Sequence, residues 1–183
     1  RQITTTPKPI TSVEDLRSFK IRVPESAIGL SMFRSLGAAP VAINFNELYT
    51  ALQTHIADGQ ENALTLVETA RLFEVQKFCS LTNHMWAGYW GLVNGDAWNR
   101  LPKDVREVLA RNMDETTTAE RTDIEGLNAS LQPKLTSQGL AFNTVQTEGF
   151  RRRLHDSGFY STWKNQYGAK AWSLLERAVG TLA

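Results

Sequence analysis

The sequence is poor in the features that assign a function class directly. Its 183 residues include a single cysteine, Cys79, so an internal disulfide framework is excluded. It has no apolar run near the roughly 18 residues of a transmembrane helix, so no membrane span is predicted. Twenty basic and 19 acidic residues leave a formal net charge of +1. The net charge therefore provides no overall electrostatic attraction for nucleic acid or for an anionic membrane. A small anion would need a local positive site to bind.

The chain also has no internal repeat and no low-complexity tract. It begins at Arg1 with neither a methionine nor a signal peptide, and we expect a mature or truncated piece. Hydrophobic residues make up 42% and charged residues 21%, which is ordinary for a globular protein. A chain of this length can form a stable hydrophobic core without disulfide bonds or bound metal ions.

Strand-like and helix-like segments alternate along the chain. Pro102 opens a helix predicted to reach about residue 138, which at 1.5 Å per residue spans roughly 50 Å. Such a rod can brace two lobes. The pattern predicts an α/β protein with a largely parallel sheet flanked by helices and this long bracing helix. Strands are predicted over residues 20–23, 40–45, 77–81, 88–93 and 140–145, and helices over 26–36, 46–57, 65–73, 150–160 and 169–179.

Arg22 is the first candidate for a binding residue. It lies near the C-terminal end of a predicted strand, with Ile21 and Val23 pointing to the opposite face. Ligands of open α/β sheets collect at that end, and a guanidinium group matches a carboxylate with two parallel hydrogen bonds. A surface salt bridge is the alternative. Asn62, at the end of the polar loop 58–62, could offer an amide to a ligand oxygen or cap a helix.

Catalytic and metal sites find little support in the sequence. His55, Asp58 and Glu61 match no specific metal-ligand spacing, and turn chemistry explains the acidic residues. Cys79 and His84 are not a nucleophile pair, because five residues along a strand span roughly 16 Å and place them on opposite faces. A buried, inert thiol is the better interpretation of Cys79. We therefore predict no catalytic residue, no metal and no cofactor.

Two further clusters remain open to interpretation. Trp86, Tyr89 and Trp90 follow a strand end, where they could form a core, a lobe interface or a wall for an organic ligand. The basic run at residues 151–153 begins a helix and is read as a solvated face, because no basic stripe supports nucleic-acid binding.

Six short strings, in this order and at this spacing, resemble one family. That family is the solute-binding receptors of tripartite ATP-independent periplasmic (TRAP) transporters, of the dicarboxylate-receptor (DctP) type. The match is specific across residues 1–100, and the helical remainder fits with weaker motifs. The strings are Lys20-Ile21-Arg22-Val23-Pro24, Leu36-Gly37-Ala38-Ala39-Pro40, Glu47-Leu48-Tyr49-Thr50-Ala51-Leu52-Gln53, Asp58-Gly59-Gln60-Glu61-Asn62, Phe73-Glu74-Val75-Gln76-Lys77-Phe78 and Leu81-Thr82-Asn83-His84.

The resemblance implies a site as well as a fold. Its ligands are small carboxylates, which two α/β lobes enclose by closing about hinge strands. The resemblance implies that Arg22 forms the family's signature salt bridge to the ligand carboxylate and that Asn62 contacts the same group. Arg1 matches a second arginine on the hinge strand, and Phe45 matches an aromatic that packs on the ligand. Trp86 falls where members vary with their ligand.

The resemblance also implies a domain organisation. Residues 1–87 and 128–183 are expected to form the second lobe of a periplasmic receptor, and 88–127 the stretch that returns to the first lobe. Most of that first lobe is absent, so we expect the apolar arm 88–127 to drive self-association. The expected partners are a small organic acid and the membrane subunits of a TRAP transporter.

Two rival functions need features that the sequence does not supply. An enzyme acting on a carboxylate would need a base or nucleophile beside Arg22, and none can be placed there. A sensor domain of a transcription regulator would need a DNA-binding helix pair with a basic face, which is not evident in these residues.

Overall fold

The computed structural model describes residues 1–86 and 88–182 and builds them around one six-stranded sheet. The spatial order is β3-β2-β4-β1-β5-β6. Strand β2 runs parallel to β3 and β4, and β5 runs parallel to β6, whereas β1 is antiparallel to both of its neighbours. The predicted α/β class is confirmed, with β1 as the antiparallel element. The strands are β1 Gln2–Thr5, β2 Lys20–Val23, β3 Ala39–Ala42, β4 Gly59–Asn62, β5 Phe78–Leu81 and β6 Ala141–Thr144.

The connections between strands are helical. Ser26 caps the first helix by accepting a hydrogen bond from the Gly29 backbone at 3.3 Å. Short 3₁₀ turns occur at Val13–Leu16, Phe45–Glu47 and Leu72–Glu74. The α-helices are α1 Ala27–Ser35, α2 Leu48–Gln53, α3 Leu64–Thr69, α4 Gly95–Arg100, α5 Lys103–Ser137, α6 Thr147–Asp156 and α7 Phe159–Val179.

Each face of the sheet carries its own hydrophobic core because strand side chains alternate between the faces. Ile21 and Val23 of β2 join a cluster with α1, α6 and α7. Cys79 of β5 joins a second cluster, formed with α2, α3 and the end of α5 through Leu131 and Leu135. The helices therefore cover the sheet on both sides.

The long helix α5 begins and ends close to the predicted positions. Only its C-terminal part packs on the sheet, where Leu131 and Leu135 are fully buried. Residues 103–130 of the same helix are largely exposed and project from the lobe. Among residues 1–86 and 88–182 no helix is both long and apolar enough to cross a bilayer.

The strand predicted over residues 88–93 is wrong. Residues 88–94 have no regular secondary structure, and the sheet ends at β3 and β6 without them. A strand exists only through hydrogen bonds to a neighbouring strand, and this apolar run has none. Its side chains point to solvent instead, with Tyr89 86% and Leu92 89% exposed.

Three predicted elements are shorter than expected, and one of them, the helix predicted over 46–57, spans only Leu48–Gln53. β3 ends at Ala42 because Asn44 caps the turn Phe45–Glu47, accepting from the Asn46 backbone at 3.1 Å. The helix predicted over 65–73 stops at Thr69, since Arg71 adopts a left-handed φ of 54°. These last two changes come from local side-chain or backbone chemistry that apolar spacing does not encode.

Candidate functional site

Arg22 lies on β2, the second strand from one edge of the sheet, and is only 2% exposed. Its partner in register on β4 is Gln60, so both side chains point to the same face, and Asn62 two residues later shares that face. The Arg22 Nε donates a hydrogen bond to the Ile43 carbonyl at 2.8 Å. Its Nη1 is buried without a hydrogen-bond partner. The guanidinium therefore keeps unused donor capacity inside the lobe.

No described carboxylate forms an ion pair with Arg22. Burial lowers the pKa of the guanidinium, while the charge of Glu61 acts in the opposite direction. Arginine nonetheless stays protonated in proteins. The surface salt bridge that the sequence left open is not what the structure contains. Arg22 is a buried cation, and a buried cation is stable only when hydrogen bonds or an opposite charge compensate it.

Asn62 and Phe45, the next two candidates, belong to β4 and to the turn Phe45–Glu47. Asn62 is buried, and its Oδ1 accepts from the Ala63 backbone at 3.2 Å. The helix cap of α3 is Ala63, so the alternative role of Asn62 as that N-cap is not observed. Phe45 begins the turn two residues after Ile43, whose carbonyl binds Arg22, and its ring is 40% exposed.

Arg1 is engaged on the other face of the sheet. Its Nε forms an ion pair with the Glu61 carboxylate, and its Nη2 lies 2.9 Å from Glu61 Oε1. Glu61 alternates with Gln60 and Asn62 along β4, so it points away from the side that carries Arg22. The positive charge of Arg1 is thus compensated within the lobe, unlike that of Arg22.

His84 completes this second cluster, which sequence reasoning missed. Its Nε2 lies 3.1 Å from Glu61 Oε2, and its Nδ1 lies 2.7 Å from the Thr82 hydroxyl. Burial lowers the pKa of His84, against the opposing effect of Glu61, so the ring is neutral at pH 7. A neutral ring donates from Nε2 to Glu61 and accepts from Thr82 at Nδ1. Burial alone would raise the pKa of Glu61, but His84 and Arg1 lower it overall.

We expect the free energy of unfolding to decline as the pH falls below about 6.5, the ordinary His pKa. The folded-state pKa of His84 lies below that value, so the unfolded chain binds the proton first. The stabilisation that comes from keeping His84 neutral is complete above pH 6.5 and is lost on acidification. Glu61, whose pKa is depressed below 4.5, adds a second loss at lower pH. Urea midpoints measured from pH 7.5 to pH 4 test this.

Replacing His84 isolates the loss of stability that is expected below pH 6.5. His84→Gln can still donate to Glu61 and accept from Thr82, yet it does not titrate, so the decline near pH 6 should disappear. His155 on α6, with a side chain 71% exposed, provides the matched control His155→Gln. An unchanged pH profile in His84→Gln would contradict the assignment.

The sequence offered three further candidates, which are Trp86, Cys79 and the group His55, Asp58 and Glu61. Trp86 is 79% exposed, and its neighbour Ala87 lies outside the described residues. Cys79 is fully buried, and burial raises the pKa of its thiol to about 12. Such a thiol is not a nucleophile at neutral pH. His55, Asp58 and Glu61 do not form a metal-binding group among the described residues.

Comparison with known proteins gives this arrangement a context. Residues 1–164 match the family model described as bacterial extracellular solute-binding protein, family 7, or DctP. The sialic acid-binding periplasmic protein SiaP of Vibrio cholerae is 29% identical over 151 residues, which are 82% of this chain and 47% of that protein. The C4-dicarboxylate-binding periplasmic protein DctP of Rhodobacter capsulatus is 38% identical over 109 residues, 60% of this chain and 33% of that protein.

A solved structure agrees with these matches. A TRAP periplasmic solute-binding protein from Roseobacter denitrificans, with bound L-galactonate, is 29% identical and superposes with a TM-score of 0.79. The match covers 86% of this chain and 52% of that one. This chain therefore spans about half the length, or less, of the relatives it matches. With a family match over residues 1–164 and a shared fold, the chain belongs to the bacterial extracellular solute-binding proteins of family 7, the DctP family.

Proposed function

We propose that this chain is the ligand-bearing part of an extracytoplasmic receptor that captures a small organic acid. The observation that carries the proposal is Arg22, a buried guanidinium whose Nη1 has no partner and which no described carboxylate neutralises. A ligand carboxylate supplies both the missing acceptor and the opposite charge. Planar guanidinium and planar carboxylate form two parallel, charge-assisted hydrogen bonds.

The surrounding residues give the site its other contacts. Asn62 shares the sheet face of Arg22 and offers an amide for a second polar contact. Phe45 supplies a half-exposed ring for the carbon skeleton of the ligand. Trp86 extends this apolar wall. Arg1 acts through the Glu61 cluster, because its own charge is already compensated there.

What the relatives bind supports the same ligand class. The Vibrio protein is named for sialic acid, the Rhodobacter protein for C4-dicarboxylates, and the Roseobacter structure holds L-galactonate. All three are carboxylic acids, although their remaining groups differ. The shared element is the carboxylate, which is the group that Arg22 is suited to bind.

The proposed mechanism is capture rather than chemistry. Residues 1–87 and 128–183 form the ligand-bearing lobe, and 88–127 form an arm that projects from it. A second wall closes over the bound acid, and closure is favoured only by contacts that exist in the closed state. The receptor then delivers its ligand, in the periplasm, to the membrane subunits of a TRAP transporter. No described acid or base hydrogen-bonds Arg22, which is why we infer binding without turnover.

Ligand binding is tested by pairing each acid with a neutral analogue of the same shape. We expect succinate or L-galactonate to raise the melting temperature more than its neutral analogue, succinamide or galactitol, does. Only the acids can pair with Arg22. A ligand at one hundred times its Kd stabilises the fold by about 2.7 kcal/mol, which a thermal-shift assay resolves. Equal stabilisation by an acid and its neutral analogue would contradict the proposal. Recovery of a chemically altered ligand by NMR would indicate an enzyme instead.

A further inference from the structure

A row of buried polar side chains crosses one face of the sheet at a single level. Arg22 on β2 is in register with Gln60 on β4, and Gln60 is in register with Thr4 on β1. Residues in register on neighbouring strands point to the same face of a sheet. Gln60 and Thr4 are completely buried, and Arg22 is nearly so. Because the strands lie side by side in the order β2-β4-β1, Gln60 is the middle member of the row.

The side-chain amide of Gln60 is oriented by Thr4. Its Nε2 donates a hydrogen bond to the Thr4 hydroxyl oxygen at 2.8 Å, which turns the amide nitrogen toward β1. The two ends of a planar amide point in different directions, so Oε1 is turned away from β1, to the side on which β2 carries Arg22. This oxygen is buried and has no hydrogen-bond partner in the part of the chain that the structure describes.

The unpartnered atoms of Gln60 and Arg22 are complementary. The Arg22 Nη1 is a buried donor, and the Gln60 Oε1 is a buried acceptor. A guanidinium group has donors only, so an amide that turned its nitrogen toward Arg22 would set donor against donor. The bond to Thr4 prevents that arrangement and leaves an acceptor on the side of the guanidinium.

Charge on β4 is sorted by face. Glu61 lies between Gln60 and Asn62, so the alternation of side chains places its carboxylate on the opposite face, where it pairs with Arg1. Among residues 1–86 and 88–182 no other carboxylate is buried. The face that carries Arg22 therefore receives only amides from β4. An amide oxygen can accept a hydrogen bond from a guanidinium group without neutralising its charge.

We propose that Gln60 positions the Arg22 guanidinium and, because it is an amide and not a carboxylate, makes the site selective for anionic ligands. This inference rests on the proposed function and adds a specificity-determining residue to it. A carboxylate at position 60 would compensate Arg22 inside the lobe and would repel the carboxylate of the ligand. A purely structural role does not require an amide, since the Thr4 hydroxyl can equally donate to a carboxylate.

Gln60→Glu changes the charge at position 60 with almost no change in shape. By isothermal titration with succinate and L-galactonate, we expect the Kd of the acid that binds to rise at least about tenfold. Gln53→Glu, exposed at the end of α2, adds the same charge and should leave that Kd unchanged. Wild-type affinity in Gln60→Glu would overturn the role of Gln60 and leave Arg22 as the anchor. Failure of the wild-type chain to bind any acid would instead contradict the proposed function.

Melting temperatures measured without ligand test the pairing of residues 22 and 60 independently. In Gln60→Glu the new carboxylate is compensated by Arg22, so the melting temperature should be no lower than that of the wild type. In the double variant with Arg22→Met the same carboxylate is buried without a partner. Its melting temperature should therefore fall below that of Arg22→Met alone, and failure of only the double variant to fold would support the pairing equally. The same shift from Gln60→Glu in both backgrounds would overturn the inference, whether or not the chain binds an acid.

Discussion

Replacing Arg22 with alanine should lower the affinity for an organic acid at least tenfold. A charge-assisted hydrogen-bonded pair contributes about 1.5–3 kcal/mol, which corresponds to roughly ten- to hundredfold in Kd. Arg22→Lys should lose most of the same affinity, because an ammonium group cannot reproduce the planar fork or the Nε bond to Ile43. Isothermal titration with the tightest acid from the thermal-shift panel provides the measurement.

A third variant separates binding from folding. Arg22→Met keeps much of the side-chain volume and removes a buried charge that lacks a compensating carboxylate. Replacing a buried charge with an apolar group of similar size is often neutral or stabilising. We therefore expect Arg22→Met to lose binding while its melting temperature is unchanged or higher. Lys20, exposed on the same strand, gives the control Lys20→Met, which should retain binding. Full affinity in Arg22→Ala would refute Arg22 as the anchor.

The substitution Gly59→Ala should destabilise the fold by about 3 kcal/mol or more. A Cβ at this position would lie 2.5 Å from the Thr4 carbonyl oxygen and 2.8 Å from Phe19 Cε1. The Thr4 carbonyl is part of the backbone of β1, and this backbone cannot move away without breaking its register with β4. Overpacking of this kind typically costs 1–3 kcal/mol, and more when the obstacle is backbone.

The free energy of unfolding, measured by chemical denaturation, is compared between Gly59→Ala and the control Gly149→Ala. Gly149 lies in α6, and an added Cβ there would only touch Val13 Cγ1 at an ordinary 3.6 Å. Gly149→Ala should therefore be neutral or stabilise by up to about 1 kcal/mol, as alanine favours a helix. Because β4 also carries Glu61 and Asn62, Gly59→Ala should weaken ligand binding as well. Wild-type stability in Gly59→Ala would contradict the close approach of β1 and β4.

Sequence patterns predicted the parts of the fold that depend on near neighbours. The alternation of Ile21, Arg22 and Val23 placed the arginine on the face opposite the core of β2, as observed. The long helix was predicted from Pro102 onward because helical spacing and a proline start are local signals. These features need no knowledge of what lies far away in the sequence.

Features that depend on distant partners could not be predicted in this way. The bonds that link Glu61 to Arg1 and to His84 join residues from three separate segments, and no spacing encodes them. The apolar run at 88–93 resembles a buried strand, yet a strand also needs a neighbour, which no local pattern supplies. Apolar periodicity likewise missed the left-handed Arg71 that ends the helix before it.

The central position of β1 has a consequence for how the chain folds. β1 joins the parallel group β3-β2-β4 to the pair β5-β6, so neither half of the sheet is continuous until it is in place. Thr5 pairs with Gly59 on one side and with Phe78 on the other, both far along the chain. Contacts between distant residues slow folding, because the entropy of loop closure must be overcome before pairing stabilises anything. We therefore expect insertion of β1 to be a late and rate-limiting step of folding, so hydrogen exchange during refolding should protect its amides after those of α1.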